Sequence, residues 1–180
     1  MPLFILSLLL SFSSTTNAAF VDYTKLQYAG EIGLLSAGLG KVVTSNYSFS
    51  FLYGYVPESI AGKEIETYSF KNDYSLYRYH RNSNFLDFYI GLNIYHVKEL
   101  HYQMHRQRPY PRNYYRMSSI RAMLYWGMSY QLQSKKSSIY FESGINDVWI
   151  VNYYNNHEVL DPKDYVSLAL GWNFTGIKTP

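Results

Sequence analysis

The last apolar run of this 180-residue chain reads Val166-Ser167-Leu168-Ala169-Leu170-Gly171-Trp172-Asn173-Phe174. Large apolar residues occupy every second position, and small or polar residues fill the positions between them. A period of two is that of a β-strand, whose side chains alternate between the two faces of a sheet. A large apolar face, a small-residue face and a terminal aromatic pair suit a membrane barrel, with lipid outside and a crowded lumen inside.

The same alternation recurs along the chain. From about 117 to 132 one face is free of charge and carries Ile120, Ala122, Leu124, Trp126, Met128, Tyr130 and Leu132. Two further clear strands present Leu86, Phe88, Ile90, Leu92 and Ile94, and Tyr47, Phe49, Phe51, Tyr53 and Tyr55. Strands are also predicted at about 30–40, 64–79 and 138–151. Within 64–79, the run Lys71-Asn72-Asp73 interrupts the pattern and could instead form a turn.

These segments give seven clear strands, whereas a closed bacterial barrel is expected to have an even number. Either Val21–Tyr28 supplies the first strand, or the 64–79 segment is two strands; we favour the first option, which gives eight. Short turns at about 41–45, 80–83 and 133–137 alternate with longer connections at about 57–63, 97–116 and 152–164. The predicted fold is therefore all-β, a single antiparallel up-and-down transmembrane β-barrel.

The composition favours strands over helices as the membrane-spanning elements. The chain contains 21 Tyr, 10 Phe and 3 Trp, yet its mean hydropathy is only -0.24, because polar residues alternate with the aromatic ones. No run reaches the roughly 18 apolar residues that a transmembrane helix needs. The absence of cysteine excludes disulfides, thiolate metal ligands, cysteine nucleophiles and a lipoprotein anchor.

The chain begins with an apolar run from Leu3 to about Phe12 and a polar stretch ending in Ala18-Ala19, as in an export signal. With this start, alternating strands and unequal loops, it resembles the small outer-membrane β-barrel proteins of Gram-negative bacteria. Gly171, Trp172 and Phe174 are similar to the glycine and paired aromatics that such proteins present to the barrel-assembly machinery, although this chain continues for six residues past Phe174. The resemblance implies an outer-membrane location, contact with membrane lipid and lipopolysaccharide, and a monomeric barrel. Neither a cofactor nor a nucleic-acid partner is expected.

Three segments are predicted along the chain. Residues 1–19 have the features of a cleaved signal peptide: an apolar run from Leu3 to about Phe12, then a polar stretch ending in the small pair Ala18-Ala19. A Lys or Arg before the apolar run, which such signals usually carry, is missing. Residues 20–174 would form the outer-membrane barrel, and residues 175–180 a short C-terminal tail.

A barrel of eight strands is just wide enough for side chains to fill its interior. The alternation predicts a lumen charge network of both signs, formed by Glu31, Lys71, Asp73, Asp87, Arg121 and Glu142. We favour a salt-bridged plug that holds the lumen closed. A proton or ion path and a catalytic carboxylate pair are the alternatives, and a transport pore fits least because so little lumen is left.

The segment from Lys98 to Arg116 is a polar loop rich in Arg, His and Tyr. Arginine can bind phosphate or carboxylate groups with two parallel hydrogen bonds. The candidate ligand-binding residues are His101, His105, Arg106, Arg108, Arg112 and Arg116. The simpler interpretation is a solvated loop beside a charged membrane surface. No metal site is predicted, because the spacing of the two histidines would need a helix that the nearby prolines oppose.

For catalysis, the resemblance invites comparison with barrel enzymes that trim or acylate lipid A, which use a histidine, a serine and an acidic partner. No His and Ser lie two apart on a predicted strand here, so no catalytic residue is assigned. We expect a non-catalytic outer-membrane protein with a structural or surface-interaction role. A lipid A acyl hydrolase or acyltransferase is the alternative, and binding of an anionic glycolipid by the 98–116 loop is the second alternative.

Overall fold

The computed structural model describes residues 21–81, 84–98, 120–131, 136–147, 150 and 166–175. These residues form eight antiparallel strands that pair in chain order and close into a barrel when the last strand pairs with the first. The strands are β1 (Tyr23–Ala29), β2 (Leu35–Val42), β3 (Tyr47–Val56), β4 (Ile65–Arg81), β5 (Asn84–Val97), β6 (Ile120–Gln131), β7 (Ser137–Asn146) and β8 (Ser167–Phe174). The predicted eight-stranded up-and-down barrel is confirmed, and the segment before Tyr28 supplies its first strand.

The connections divide the barrel into two ends. The turn end carries the connections β2–β3, β4–β5 and β6–β7 together with the start of β1 and the end of β8. The loop end carries the other four connections, including a short helix, α1 (Glu58–Ala61), between β3 and β4. Within the described ranges, no helix has the length and apolar character needed to cross a membrane.

The polar run Lys71-Asn72-Asp73 lies in the middle of β4 and is not a turn. Lys71 and Asp73 face the interior because they alternate with the outward Phe70 and Tyr74. Asn72 faces outward, where its side-chain oxygen accepts a hydrogen bond from the Tyr47 hydroxyl at 2.8 Å. Lys71 and Asp73, which made the strand pattern of 64–79 less clear, are therefore side chains of the polar interior.

Strand β7 ends five residues earlier than the sequence pattern predicts. It stops at Asn146, whose side-chain amide donates a hydrogen bond to the Glu31 carboxylate at the loop end. The alternation alone would have carried Asp147 onto the lipid-facing surface after Ile145. Because the strand ends at Asn146, Asp147 lies beyond the sheet.

The outward face of the barrel is apolar, the reverse of a soluble domain. More than half of the surface of Leu124, Leu168 and Leu170 is exposed, and Trp172 and Phe174 stack with ring centres 5.4 Å apart. Other large exposed outward residues are Leu26, Tyr28, Phe51, Tyr68, Ile90, Leu92, Ile94 and Trp126. Such an apolar belt around a sheet without open edges is suited to hydrocarbon, in which unpaired backbone groups are costly.

Candidate functional site

Three charged side chains from widely separated strands meet in the middle of the lumen. The Lys25 ammonium of β1 lies 3.2 Å from one carboxylate oxygen of Glu142 on β7. The Lys71 ammonium of β4 contacts the other oxygen of the same carboxylate. All three side chains are buried. A carboxylate shared by two ammonium groups ties opposite walls of the barrel together, where low polarity strengthens their attraction.

Two further groups complete this central cluster, which comprises Lys25, Gln27, Lys71, Asp73 and Glu142. Lys25 also lies 3.4 Å from an Asp73 oxygen, and Lys71 donates to the Gln27 side-chain oxygen at 3.0 Å. Two ammonium groups therefore face two carboxylates, so the charges of the cluster cancel. Buried charges are tolerated when paired and hydrogen-bonded in this way.

Tyrosine side chains surround the central cluster and supply its remaining hydrogen bonds. The Tyr89 hydroxyl donates to Glu142 at 3.0 Å, the Tyr125 hydroxyl donates to Asp73, and the Tyr140 hydroxyl donates to Gln27 at 3.2 Å. The Lys25 ammonium lies 4.4 Å from the centre of the Tyr140 ring, and the Lys71 ammonium lies equally far from the Tyr125 ring. Ring faces attract cations, so these tyrosines both fill space and stabilise charge.

Four tyrosines of the lumen wall each lie over a glycine on a neighbouring strand. The cross-strand partners are Tyr23 with Gly40, Tyr89 with Gly127, Tyr125 with Gly91 and Tyr140 with Gly171. A methyl group added at any of these glycines would collide with the tyrosine ring. The bare backbone thus provides the room that an aromatic ring needs inside so narrow a barrel. Gly171 consequently has a packing role within the barrel.

The loop end of the lumen is closed by an apolar plug formed by Ile32, Leu52, Tyr95 and Met123. Ile32 belongs to the β1–β2 connection, which folds into the barrel and leaves this side chain fully buried. Gly54 permits the fold, because a methyl group there would overlap the Ile32 carbonyl oxygen. The neighbouring Glu31 accepts hydrogen bonds from Asn146 and from Tyr95, the latter at 3.1 Å.

A separate ion pair lies toward the turn end. Arg78 of β4 is 3.0 Å from Asp87 of β5, and the Ser75 hydroxyl also donates to Asp87. The Arg78 guanidinium additionally donates to the Ser45 carbonyl at 3.1 Å. The arginine side chain is 32% exposed and the aspartate side chain 15%, so this pair is far wetter than the central cluster.

The six predicted lumen charges are distributed over three places. Lys71, Asp73 and Glu142 lie in the central cluster and Asp87 in the turn-end pair. Glu31 lies at the loop-end mouth, where Arg121 is the cross-strand partner of Tyr95. The sequence reasoning missed Lys25 and Gln27, although Tyr23, Lys25 and Gln27 alternate with Thr24, Leu26 and Tyr28. Applied to the first strand, that alternation would have predicted that both side chains face the lumen.

The predicted ligand-binding residues of the polar loop lie outside the described residues: His101, His105, Arg106, Arg108, Arg112 and Arg116. In the part of the chain that is described, no group of three or more His, Asp or Glu side chains could hold a metal ion. His96 on β5 and Ser143 on β7 both occupy outward positions. They are not brought together, because His96 pairs across to Ile120 on β6 whereas Ser143 pairs six residues along, at Trp126.

A closed eight-stranded barrel with an apolar exterior and a polar, packed lumen has the architecture of the small outer-membrane β-barrel proteins, as the resemblance predicted. Neither a protein-family model nor a curated protein matches the sequence. Among solved structures, the chain is similar to the outer-membrane enzyme PagL, with 14% sequence identity and a TM-score of 0.49. The match covers 84% of this chain and 97% of PagL. The likeness is one of fold alone.

Proposed function

We propose that the protein is a sealed, non-conducting barrel of the outer membrane, with a structural or surface-interaction role. The observation that carries this proposal is the central cluster, in which buried charges from β1, β4 and β7 bind one another across the lumen. The apolar plug closes the loop end independently. Transport through such an interior would require both to be dismantled, because eight strands leave no spare channel.

The membrane location is tested by arginine substitution on one strand. Leu124→Arg should cost about 2–4 kcal/mol of unfolding free energy if this outward residue lies near the bilayer midplane. The matched control is Ile120→Arg, on the same face at the loop end, which should cost about 1 kcal/mol or less. Urea unfolding in lipid vesicles measures both values. Equal costs at the two positions would contradict the location.

The closed lumen is tested by electrical recording in planar bilayers. The purified protein should give no steady conductance, while a known porin reconstituted in parallel gives open channels. Heat-modifiable gel mobility of the same sample establishes that the barrel is folded. A stable unitary current from the folded protein would refute the sealed-barrel proposal.

We propose that the chain is a monomer that is exported by a cleaved signal and inserted by the assembly machinery.

The surface role is assigned to the 98–116 loop, which at the loop end would face the outside of the cell. We propose that outer-membrane lipid, including lipopolysaccharide, is the partner of this loop. Replacing Arg106, Arg108, Arg112 and Arg116 by Gln should weaken binding to lipopolysaccharide-containing vesicles. Wild-type binding should also weaken as salt rises, since screening reduces attraction between exposed charges. Binding indifferent to both changes would count against this role.

A second candidate function is modification of lipid A, and the outward face of β4 and β5 at the loop end is what favours it. His96 pairs across to Tyr68, and Glu66 lies two residues from Tyr68 on the same face. The His96 side chain is exposed, whereas the Glu66 carboxylate is half-buried and lies 2.7 Å from the Lys98 ammonium. A histidine beside an ion-paired carboxylate on the outward face is unusual enough to merit a test. Overproduction should then alter the mass spectrum of lipid A, and His96→Ala should abolish the change. An unchanged lipid A spectrum, with the protein abundant in the outer membrane, would contradict the enzyme hypothesis.

A further inference from the structure

The outward apolar surface has very different heights on opposite sides of the barrel. On β6 the outward residues are uncharged from Ile120 to Tyr130. Ten residue steps correspond to about 34 Å along a strand. With the usual tilt of membrane strands, that distance is about 25 Å of vertical height, which equals the apolar band of an outer-membrane barrel. The β6 side of the wall therefore matches an ordinary bilayer.

The hairpin of β1 and β2 is much shorter. The outward apolar face of β2 begins at Leu35, and its next charged residue is Lys41, whose ammonium lies 3.2 Å from Asp22. The Asp22 carboxylate also accepts the Val42 backbone amide at 2.8 Å, which holds the pair in place. From Leu35 to Lys41 the vertical height is only about 15 Å. The shortfall relative to β6 is about 10 Å.

The connection between β1 and β2 does not restore the missing height. Instead of rising above the hairpin, it turns into the lumen and buries Ile32. Glu31 is held there by Tyr95 and Asn146. Leu35, the first residue of β2, is left 62% exposed at the loop end of the hairpin. The residues that could have extended the outward face are thus used to close the barrel.

We propose that the β1–β2 hairpin is a membrane-thinning surface, whose partner is the lipid bilayer itself, compressed beside this hairpin to meet its short apolar face. The inference rests on the proposed membrane location. A bilayer thicker than the apolar face of a protein adapts by local thinning, at a modest cost for each ångström of mismatch. The mismatch is confined to one sector, so the lipid disorder is one-sided, while the β6 side stays matched.

The absence of cysteine allows a polarity-sensitive fluorophore to be placed at a single site in three variants, Leu35→Cys, Ile120→Cys and Leu124→Cys. Each variant is folded into vesicles of dilauroyl, dimyristoyl and dioleoyl phosphatidylcholine, which have increasing thickness. If the bilayer thins to follow the hairpin, the Leu35 label stays at the headgroup level and its emission maximum is the same in all three lipids. The Ile120 label reports the loop end of the matched wall.

A progressive blue shift of the Leu35 label as the lipid lengthens would overturn the proposal, since it means that the bilayer closes over the hairpin. Energy transfer between labelled Leu35 copies would also overturn it, because a second copy of the chain would then cover the surface. The Leu124 label separates this failure from failure of the membrane location: aqueous emission at Leu124 refutes the location itself, whereas apolar emission there leaves only the thinning in question.

The same proposal predicts the effect of lengthening the short face. The double variant Lys41→Leu with Asp22→Asn removes both charges that limit the apolar height of the hairpin and keeps an acceptor for the Val42 amide, so the lipid giving the highest unfolding temperature should shift toward longer chains. The control is Lys63→Leu in the exposed β3–β4 connection, which should leave that preference unchanged. An unchanged preference in the double variant, with folded-barrel gel mobility, would contradict the proposal.

Discussion

The centre of the lumen and its loop end are both closed, but by different physical means. The central cluster is charged, and its members come from strands on several sides of the barrel. The loop-end plug is apolar, and its most buried member, Ile32, comes from a connection. The comparison shows that a small barrel can fill its interior either by pairing charges across the lumen or by folding a loop inward.

Substitutions in the central cluster and in the plug should reduce the stability of the barrel in different ways. Apolar packing loses energy in proportion to the atoms removed, because each contact is weak and independent. A buried charge cluster loses much of its stabilising energy at a single substitution, because removing one partner leaves the others desolvated and unpaired. Glu142 is the most sensitive point of the cluster, since both ammonium groups depend on it.

The largest expected effect is that of Glu142→Ala. It leaves the Lys25 and Lys71 ammonium groups without their shared carboxylate, with only Asp73 remaining as a negative partner of Lys25. Removing one partner of a buried ion pair costs about 3–5 kcal/mol, and urea unfolding in lipid vesicles measures this loss. Adding Lys71→Met should recover part of it, because the uncompensated charge is then gone. A double variant less stable than Glu142→Ala would contradict the charge account.

A somewhat smaller effect is expected at the plug. Ile32→Ala removes a fully buried side chain and should cost about 3 kcal/mol. Ile60→Ala provides the matched control, because Ile60 of α1 is 62% exposed and its truncation should change stability by less than about 0.5 kcal/mol. The test is the same urea titration. Similar values for the two variants would mean that the β1–β2 connection does not plug the barrel.

The sequence predicted one of these two regions better than the other. Strand periodicity places Lys71, Asp73 and Glu142 inside, because an inward residue follows from its outward neighbours. It cannot reveal which charges meet, since that depends on how the strands stagger around the closed sheet. The plug was not predicted, and the predicted strand at about 30–40 was wrong at its start. With Glu31 facing inward, that strand would have placed Ile32 on the outer face, whereas β2 begins only at Leu35 and Ile32 lies buried in the connection before it. The glycines Gly33 and Gly54 are its traces in the sequence, because the connection and β3 approach each other closely at these two positions.

The pairing of tyrosine with glycine also could not be predicted from the sequence. Each glycine is visible in the alternation of its strand, but its partner is set by the register between strands. A strand pattern fixes the face of a residue and not its cross-strand neighbour, because sliding two strands by two residues preserves every face. The ion pair at the turn end belongs to the same category: Asp87 was predicted to face inward, but its partner Arg78 lies beyond an irregularity in β4 between Ser75 and Tyr77.

The smallest expected effect is that of Asp87→Asn at the turn end. Its ion pair with Arg78 is partly exposed, so the loss should be about 1 kcal/mol or less. Added salt should shrink the difference from wild type further, because solvent-exposed charges are screened, whereas the loss caused by Glu142→Ala should be little affected. Urea titrations of both variants at low and high salt provide the measurement. The contrary outcome is that the stability lost in Glu142→Ala falls with salt as steeply as that lost in Asp87→Asn. The central cluster would then be in contact with water, and the proposal of a sealed lumen would be contradicted.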